Sequence, residues 1–134
     1  MLVDDDEDDQ MIFTNVINEI DSSIDCKCFG NPLNSLQALH KNSNNKPDCI
    51  FLDLNLPMMH GFEFLEIIKT SKELSDIPVI IYSTSSREAD KIKAKELGAS
   101  NFLSKPSSFA DLKNKVINSL ISVFYSDDYE NWIL

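Results

Sequence analysis

Four short apolar runs in this sequence end on residues that could do chemistry together. Met1-Leu2-Val3 runs into Asp4-Asp5, Cys49-Ile-Phe-Leu into Asp53, Pro78 to Tyr82 into Ser83-Thr84, and Asn101-Phe-Leu-Ser into Lys105-Pro106. Carboxylates crowded together repel, and one must hold a proton unless a cation intervenes. Mg²⁺ takes oxygen ligands and is commonly held through one or two carboxylates plus phosphate oxygens. An Asp carboxylate can attack phosphorus to give an acyl phosphate, and the developing charge then needs a metal and a fixed cation. Lys105 can be that cation, as a mobile point charge, and Ser83 can donate a hydrogen bond to a phosphoryl oxygen. Taken singly, an acid at a strand end is more often a helix cap or a solvated loop residue, and Lys-Pro a plain turn. Their joint occurrence at four strand ends carries the argument.

The elements that must position these residues alternate strictly. After Asp4-Asp5 comes a helical stretch with Phe13, Val16, Ile17, Ile20 and Ile24 at three- and four-residue spacing, its start set by Asp6 with Asp9 three residues on. Cys26 to Phe29 reads as a strand, Gly30-Asn31-Pro32 as a turn, and Leu33, Leu36 and Leu39 as one face of a second helix. Residues 42–47 form a loop. Cys49 to Asp53 is a continuous apolar run, as a strand covered on both faces should be. Pro57 to Gly61 is turn chemistry before a helix with Phe62, Phe64, Leu65, Ile67 and Ile68. Pro78 to Ser83 is the fourth strand, and Arg87 to Leu97 a weakly amphipathic helix with Ala89, Ile92, Ala94 and Leu97. Asn101 to Ser104 is the last strand, and Phe109 to Phe124 the last helix, with Leu112, Val116, Leu120 and Val123. Five strand–helix pairs predict an α/β domain: a doubly wound, five-stranded parallel sheet with helices on both faces, joined by right-handed crossovers. In such sheets reactive groups gather beyond the carboxyl ends of the strands.

Composition bounds the rest. The chain has 134 residues, 43% hydrophobic and 25% charged, enough for one globular domain with its own core. Its net charge of −10 would be repelled by nucleic-acid phosphates, so direct nucleic-acid binding is disfavoured. No apolar run approaches the ~20 residues needed to span a bilayer, and the acidic start is unlike a secretory signal, so a cytoplasmic setting with no membrane partner is expected. Cys26, Cys28 and Cys49 lack the spacing of a disulfide frame or a zinc site and are expected to be buried thiols.

These motifs together resemble the receiver domain of two-component response regulators, over nearly the whole chain. The resemblance rests on Leu2 to Asp6, on Phe51-Leu52-Asp53-Leu54-Asn55-Leu56-Pro57-Met58-Met59-His60-Gly61, on Pro78 to Ser83, and on Ser104-Lys105-Pro106, in that order. It implies a flavodoxin-like sheet in the order 2-1-3-4-5, with residues 1–124 as the receiver and 125–134 as an extension or tail. It implies that Asp53 is the phosphoacceptor and that Mg²⁺ is held by Asp5 directly, by Asp4 directly or through water, by Asp53, and by the backbone carbonyl of Asn55. Ser83 would be the switch hydroxyl, Lys105 the phosphate-binding lysine, and Phe102 the aromatic that changes rotamer. A cis Lys105–Pro106 bond is implied as well. Only Asp4 and Asp5 of the six acids from Asp4 to Asp9 would belong to the site. Three features depart from the usual pattern: the first strand is only three residues long, Thr84 stands where a small residue is usual, and His60, expected to be plain surface, where an acid is common.

The resemblance further implies that a sensor histidine kinase or histidine phosphotransfer protein donates to Asp53, without other enzymatic activity. A face made by the fourth helix, fifth strand and fifth helix would be re-shaped for a downstream protein, and a homodimer is among the options. The chain stops about 30 residues after Lys105, so output through protein partners, or by passing the phosphoryl group onward, is expected of a standalone receiver. One rival is a degenerate receiver that binds partners without phosphorylation, which predicts a missing acid or lysine. Another is a haloacid-dehalogenase-like phosphohydrolase, but its general acid would fall at Asn55, which cannot transfer a proton.

Overall fold

The computed structural model describes residues 1–41 and 44–125. Strands β1 (Leu2–Val3), β2 (Cys28–Phe29), β3 (Ile50–Leu52), β4 (Val79–Ser83) and β5 (Asn101–Ser104) alternate with α1 (Glu7–Ile20), α2 (Pro32–Lys41), α3 (Gly61–Thr70), α4 (Glu88–Glu96) and α5 (Phe109–Tyr125). The strands form one parallel sheet in the order β2-β1-β3-β4-β5, so the flavodoxin-like architecture stands.

The pleat sorts apolar side chains between two cores, because successive residues of a strand point to opposite faces. Val3, Ile50, Leu52, Val79, Ile81 and Phe102 face one core, filled by Phe64, Leu65 and Ile68 of α3 and by Leu39 and Ala94. Leu2, Phe51, Ile80, Tyr82 and Leu103 face the other, filled by Phe13, Val16 and Ile17 of α1 and by Leu112 and Val116 of α5. Phe13 is central there, its ring 4.8 Å from that of Phe51 and 5.3 Å from that of Tyr82.

Several local expectations are corrected. Helix α1 stops at Ile20, and Ile24 lies beyond it, exposed. Leu33 also faces outward, while Ser35 of the same helix is buried and satisfied by the Pro32 carbonyl. Cys49 is buried, but Cys26 and Cys28 are only half-buried at the sheet edge. Strands β1 and β2 have two residues each, shorter than the apolar runs suggest; flanking pairs such as Phe51 N to Met1 O, 2.9 Å, prolong the pairing. The C-terminal helix includes Tyr125, and residues 126–134 of the expected tail lie outside the described residues, as do 42 and 43 of the expected loop. Among the described residues no helix is long and apolar enough to cross a membrane.

Candidate functional site

The strand ends do converge, and the convergence follows from the pairing of their backbones. Asp53 N donates to Val3 O at 2.9 Å, which sets the end of β3 beside the end of β1, and Asp4 N donates to Phe29 O at 3.0 Å. Lys105 N donates to Ser83 O at 2.7 Å, which carries the β4–β5 ladder one step past the strands and fixes where the lysine leaves the sheet. Parallel pairing thus places Asp4, Asp53, Ser83 and Lys105 on one rim, as the sheet rule requires.

The turn after Asp53 is closed by Gly61, whose N–H donates to Leu54 O at 2.8 Å. A Cβ at this glycine would lie 2.5 Å from the Asp53 carbonyl oxygen, so only glycine allows α3 to start against the backbone that carries Asp53. His60 is not idle surface: its Nδ1 accepts from Phe62 N at 3.1 Å and caps α3. Met58, in the same turn, has φ of 66°, a left-handed conformation that costs a non-glycine residue about 1–2 kcal/mol.

The side chains meet around the Lys105 ammonium. Its Nζ lies 2.7 Å from Asp4 Oδ2, 2.8 Å from Asp9 Oδ2 and 3.2 Å from Asp53 Oδ2. The same atom sits 4.8 Å from the centre of the Tyr82 ring, which forms the floor of the site. Asp4 is wholly buried; its Oδ1 accepts from Asp6 N at 3.0 Å. Asp53 is buried as well, with Oδ1 accepting from Asn55 N at 3.3 Å. Burial pushes the Asp4 carboxyl above its ordinary range, despite opposing hydrogen bonds from Lys105 and the Asp6 amide, and the charge of Asp53 adds to that rise. Burial works to lower the Lys105 ammonium, but Asp4, Asp9 and Asp53 outweigh it and hold the ammonium above its usual value. Burial also pushes the Tyr82 phenol up to about 12.

One ammonium therefore serves three carboxylates, and Asp5 adds an exposed fourth. Carboxylate oxygens of Asp4, Asp5 and Asp53 can all lie within 4.8 Å of one another. An all-oxygen donor set with surplus negative charge, part of it buried, suits a hard divalent cation such as Mg²⁺.

The structure brings some of the expected residues together and places others differently. Lys105 is in direct contact with both Asp4 and Asp53, and Asp5 joins them through the carboxylate cluster. Ser83 is wholly buried at the end of β4, its Oγ accepting from Ser85 N at 3.2 Å. Phe102 is wholly buried in the core on the α3 side of the sheet. Thr84 is exposed, and no cis peptide bond is present among the described residues, so Lys105–Pro106 is trans. Asp9, one of the four acids expected to lie outside the site, is instead in contact with Lys105. The signal was faint. With Asp6 as N-cap, Asp9 is the third helical residue, a position whose side chain can turn back over the helix start.

A family profile for the response regulator receiver domain matches residues 1–117. The chain belongs to this family, as the receiver domain of response regulators. Among curated relatives it is 39% identical over 103 residues to a protein-glutamate methylesterase/protein-glutamine glutaminase of Treponema denticola, covering 75% of this chain and 27% of that protein. It is 40% identical over 80 residues to the KDP operon transcriptional regulatory protein KdpE of Escherichia coli, covering 60% of this chain and 34% of that one. The chain thus spans about a third or less of these relatives. Among solved structures it resembles the phosphorylated cyanobacterial phytochrome response regulator RcpA, with a TM-score of 0.81, 25% identity and coverage of 95% and 93%. It also resembles the Mn²⁺-bound response regulator Rcp1, with a TM-score of 0.74, 31% identity and coverage of 94% and 92%.

Proposed function

We propose that this receiver domain takes a phosphoryl group from a phosphohistidine of a sensor kinase or phosphotransfer protein onto Asp53, with Mg²⁺ held by Asp4, Asp5, Asp53 and the carbonyl of Asn55. The observation that carries this reading is the Lys105 ammonium resting on both Asp53 and Asp4 at the edge of a three-carboxylate cluster. A bound Mg²⁺ would supply charge neutralisation for the phosphoryl oxygens. An Asp53 carboxylate oxygen forms the O–P bond as the N–P bond breaks, and the imidazole nitrogen keeps the bonding pair. Lys105 starts on Asp53, within reach of the phosphoryl oxygens that arrive there, so its charge is in place without reorganisation. The Tyr82 ring beneath it excludes water from one side. The relatives' names support both halves of the reading, since one neighbour was solved phosphorylated and another with Mn²⁺ bound.

The hydroxyl of Ser83 then turns to the phosphoryl group, Phe102 moves toward the space it leaves, and the face of α4, β5 and α5 is re-shaped for a downstream protein. The thin anchoring of α4, which buries only Ala94, supports that part. Labelling with acetyl phosphate in Mg²⁺ tests the acceptor. Wild type should label and Asp53→Asn should not; undiminished labelling of the variant would sink the assignment, and a wild type that never labels would favour an unphosphorylated interaction module.

A further inference from the structure

The third carboxylate on Lys105 has no part in the reaction above. Asp9 comes from the first turn of α1, far in sequence from Lys105, and its Oδ2 lies 2.8 Å from the ammonium. The Lys105 side chain is only 9% exposed, whereas that of Asp9 is 32% exposed, so the pair joins a confined cation to an acid that faces solvent. Asp9 is not needed to start its helix through its side chain: the cap is its backbone N–H donating to Asp6 Oδ1 at 3.0 Å. Nor does the Asp9 side chain belong to either apolar core. What it does contact is the one ammonium that also touches Asp4 and Asp53.

We propose that Asp9 is a positioning residue of the phosphoacceptor site, sharing the Lys105 ammonium with Asp53 and thereby trading attraction for the anionic phosphodonor against attraction for the divalent cation. The inference rests on the phosphoacceptor reading of Asp53. Its physics is a competition for one charge. While Asp9 holds part of the ammonium, Asp4 and Asp53 are less neutralised, which favours a cation among them and disfavours an incoming phosphate. Without Asp9 the ammonium settles on Asp4 and Asp53, and the site is one negative charge poorer. The phosphodonor is then drawn in more strongly and the cation less.

The test is Asp9→Asn, with Asp9→Glu as the variant that keeps the charge. Initial labelling rates are measured against acetyl phosphate at saturating Mg²⁺, and against Mg²⁺ at fixed acetyl phosphate. For Asp9→Asn the half-saturating acetyl phosphate should fall and the half-saturating Mg²⁺ should rise, each by about two- to fivefold, the range for a partly exposed charge. Both shifts should shrink as salt is raised, and Asp9→Glu should restore both constants toward wild type. A merely structural Asp9 would move the melting temperature without opposing shifts. Constants that stay at the wild-type values, or move in the same direction, would overturn the proposal while wild-type labelling and the silence of Asp53→Asn uphold the acceptor. A wild type that takes no phosphoryl group would overturn both.

Discussion

The helices that follow Asp53 and Ser83 are held to the same sheet in opposite ways. Helix α3 buries Gly61, Phe62, Phe64, Leu65 and Ile68, is capped by His60, and begins in direct contact with the backbone of Asp53 and Leu54. Helix α4 buries only Ala94, and Arg87 at its start makes no side-chain cap. Its first turn is tied instead by polar contacts: Asp90 accepts from Arg87 at 3.1 and 3.2 Å and from Ser85 Oγ at 2.5 Å. Its body leans on α3 through the Lys93 ammonium, 5.0 Å from the centre of the Phe62 ring. The difference teaches where rigidity is needed. The strand that ends in Asp53 leads into an element fixed by packing, while the strand that ends in Ser83 leads into one fixed by a few exchangeable contacts. A local charge change can move the second without loosening the first, because regions with little buried apolar surface open at low cost.

The comparison can be broken at the packed end first. Phe64→Ala should cost about 3–5 kcal/mol of unfolding free energy, the range for emptying a fully buried aromatic site. Urea denaturation would show it, and Ile92→Ala on the exposed face of α4 should stay within about 0.5 kcal/mol in the same assay. Equal losses would mean that the two helices are equally anchored. Gly61→Ala comes next, at about 1–3 kcal/mol, since the new methyl must displace backbone. It should also slow labelling of Asp53, whereas the Ile92 variant should label at the wild-type rate.

The polar tether of α4 gives a smaller effect with a defined pH window. Hydrogen bonds from Arg87 and Ser85 hold the Asp90 carboxyl below its usual value of 3.8. A carboxylate depressed in the folded state contributes stability that is fully present above the unfolded value and lost as pH falls through the folded one. Amide exchange in the first turn of α4 should therefore accelerate, relative to α3, only below about pH 3.8. Asp90→Asn should show the faster exchange already at neutral pH and lose the pH step.

Residue patterns foretold the sheet and the placement of most candidate site residues, because each depends on contacts between adjacent strand ends. Continuous apolar runs marked β3 and β4, and their last residues marked Asp53 and Ser83. What the sequence hid depends on direction rather than type. Ile24 and Leu33 fit a helical spacing yet face solvent, one because α1 stops at Ile20, the other because the buried stripe of α2 runs through Ser35 and Leu39. Asp9 sits among acids of one type, and only the turn of the first helical residues aims it at Lys105. His60 is exposed, and its capping role follows from the backbone angle at which α3 starts.

The most direct test of this contrast is hydrogen exchange on the protein with and without acetyl phosphate in Mg²⁺, followed for the amides of Glu88–Glu96 and of Gly61–Thr70. Phosphorylation should change exchange across α4 and leave α3 at its unphosphorylated rates, and Asp53→Asn should abolish the change. Equal changes in both helices, or a change in α4 that persists in the Asp53 variant, would contradict the account.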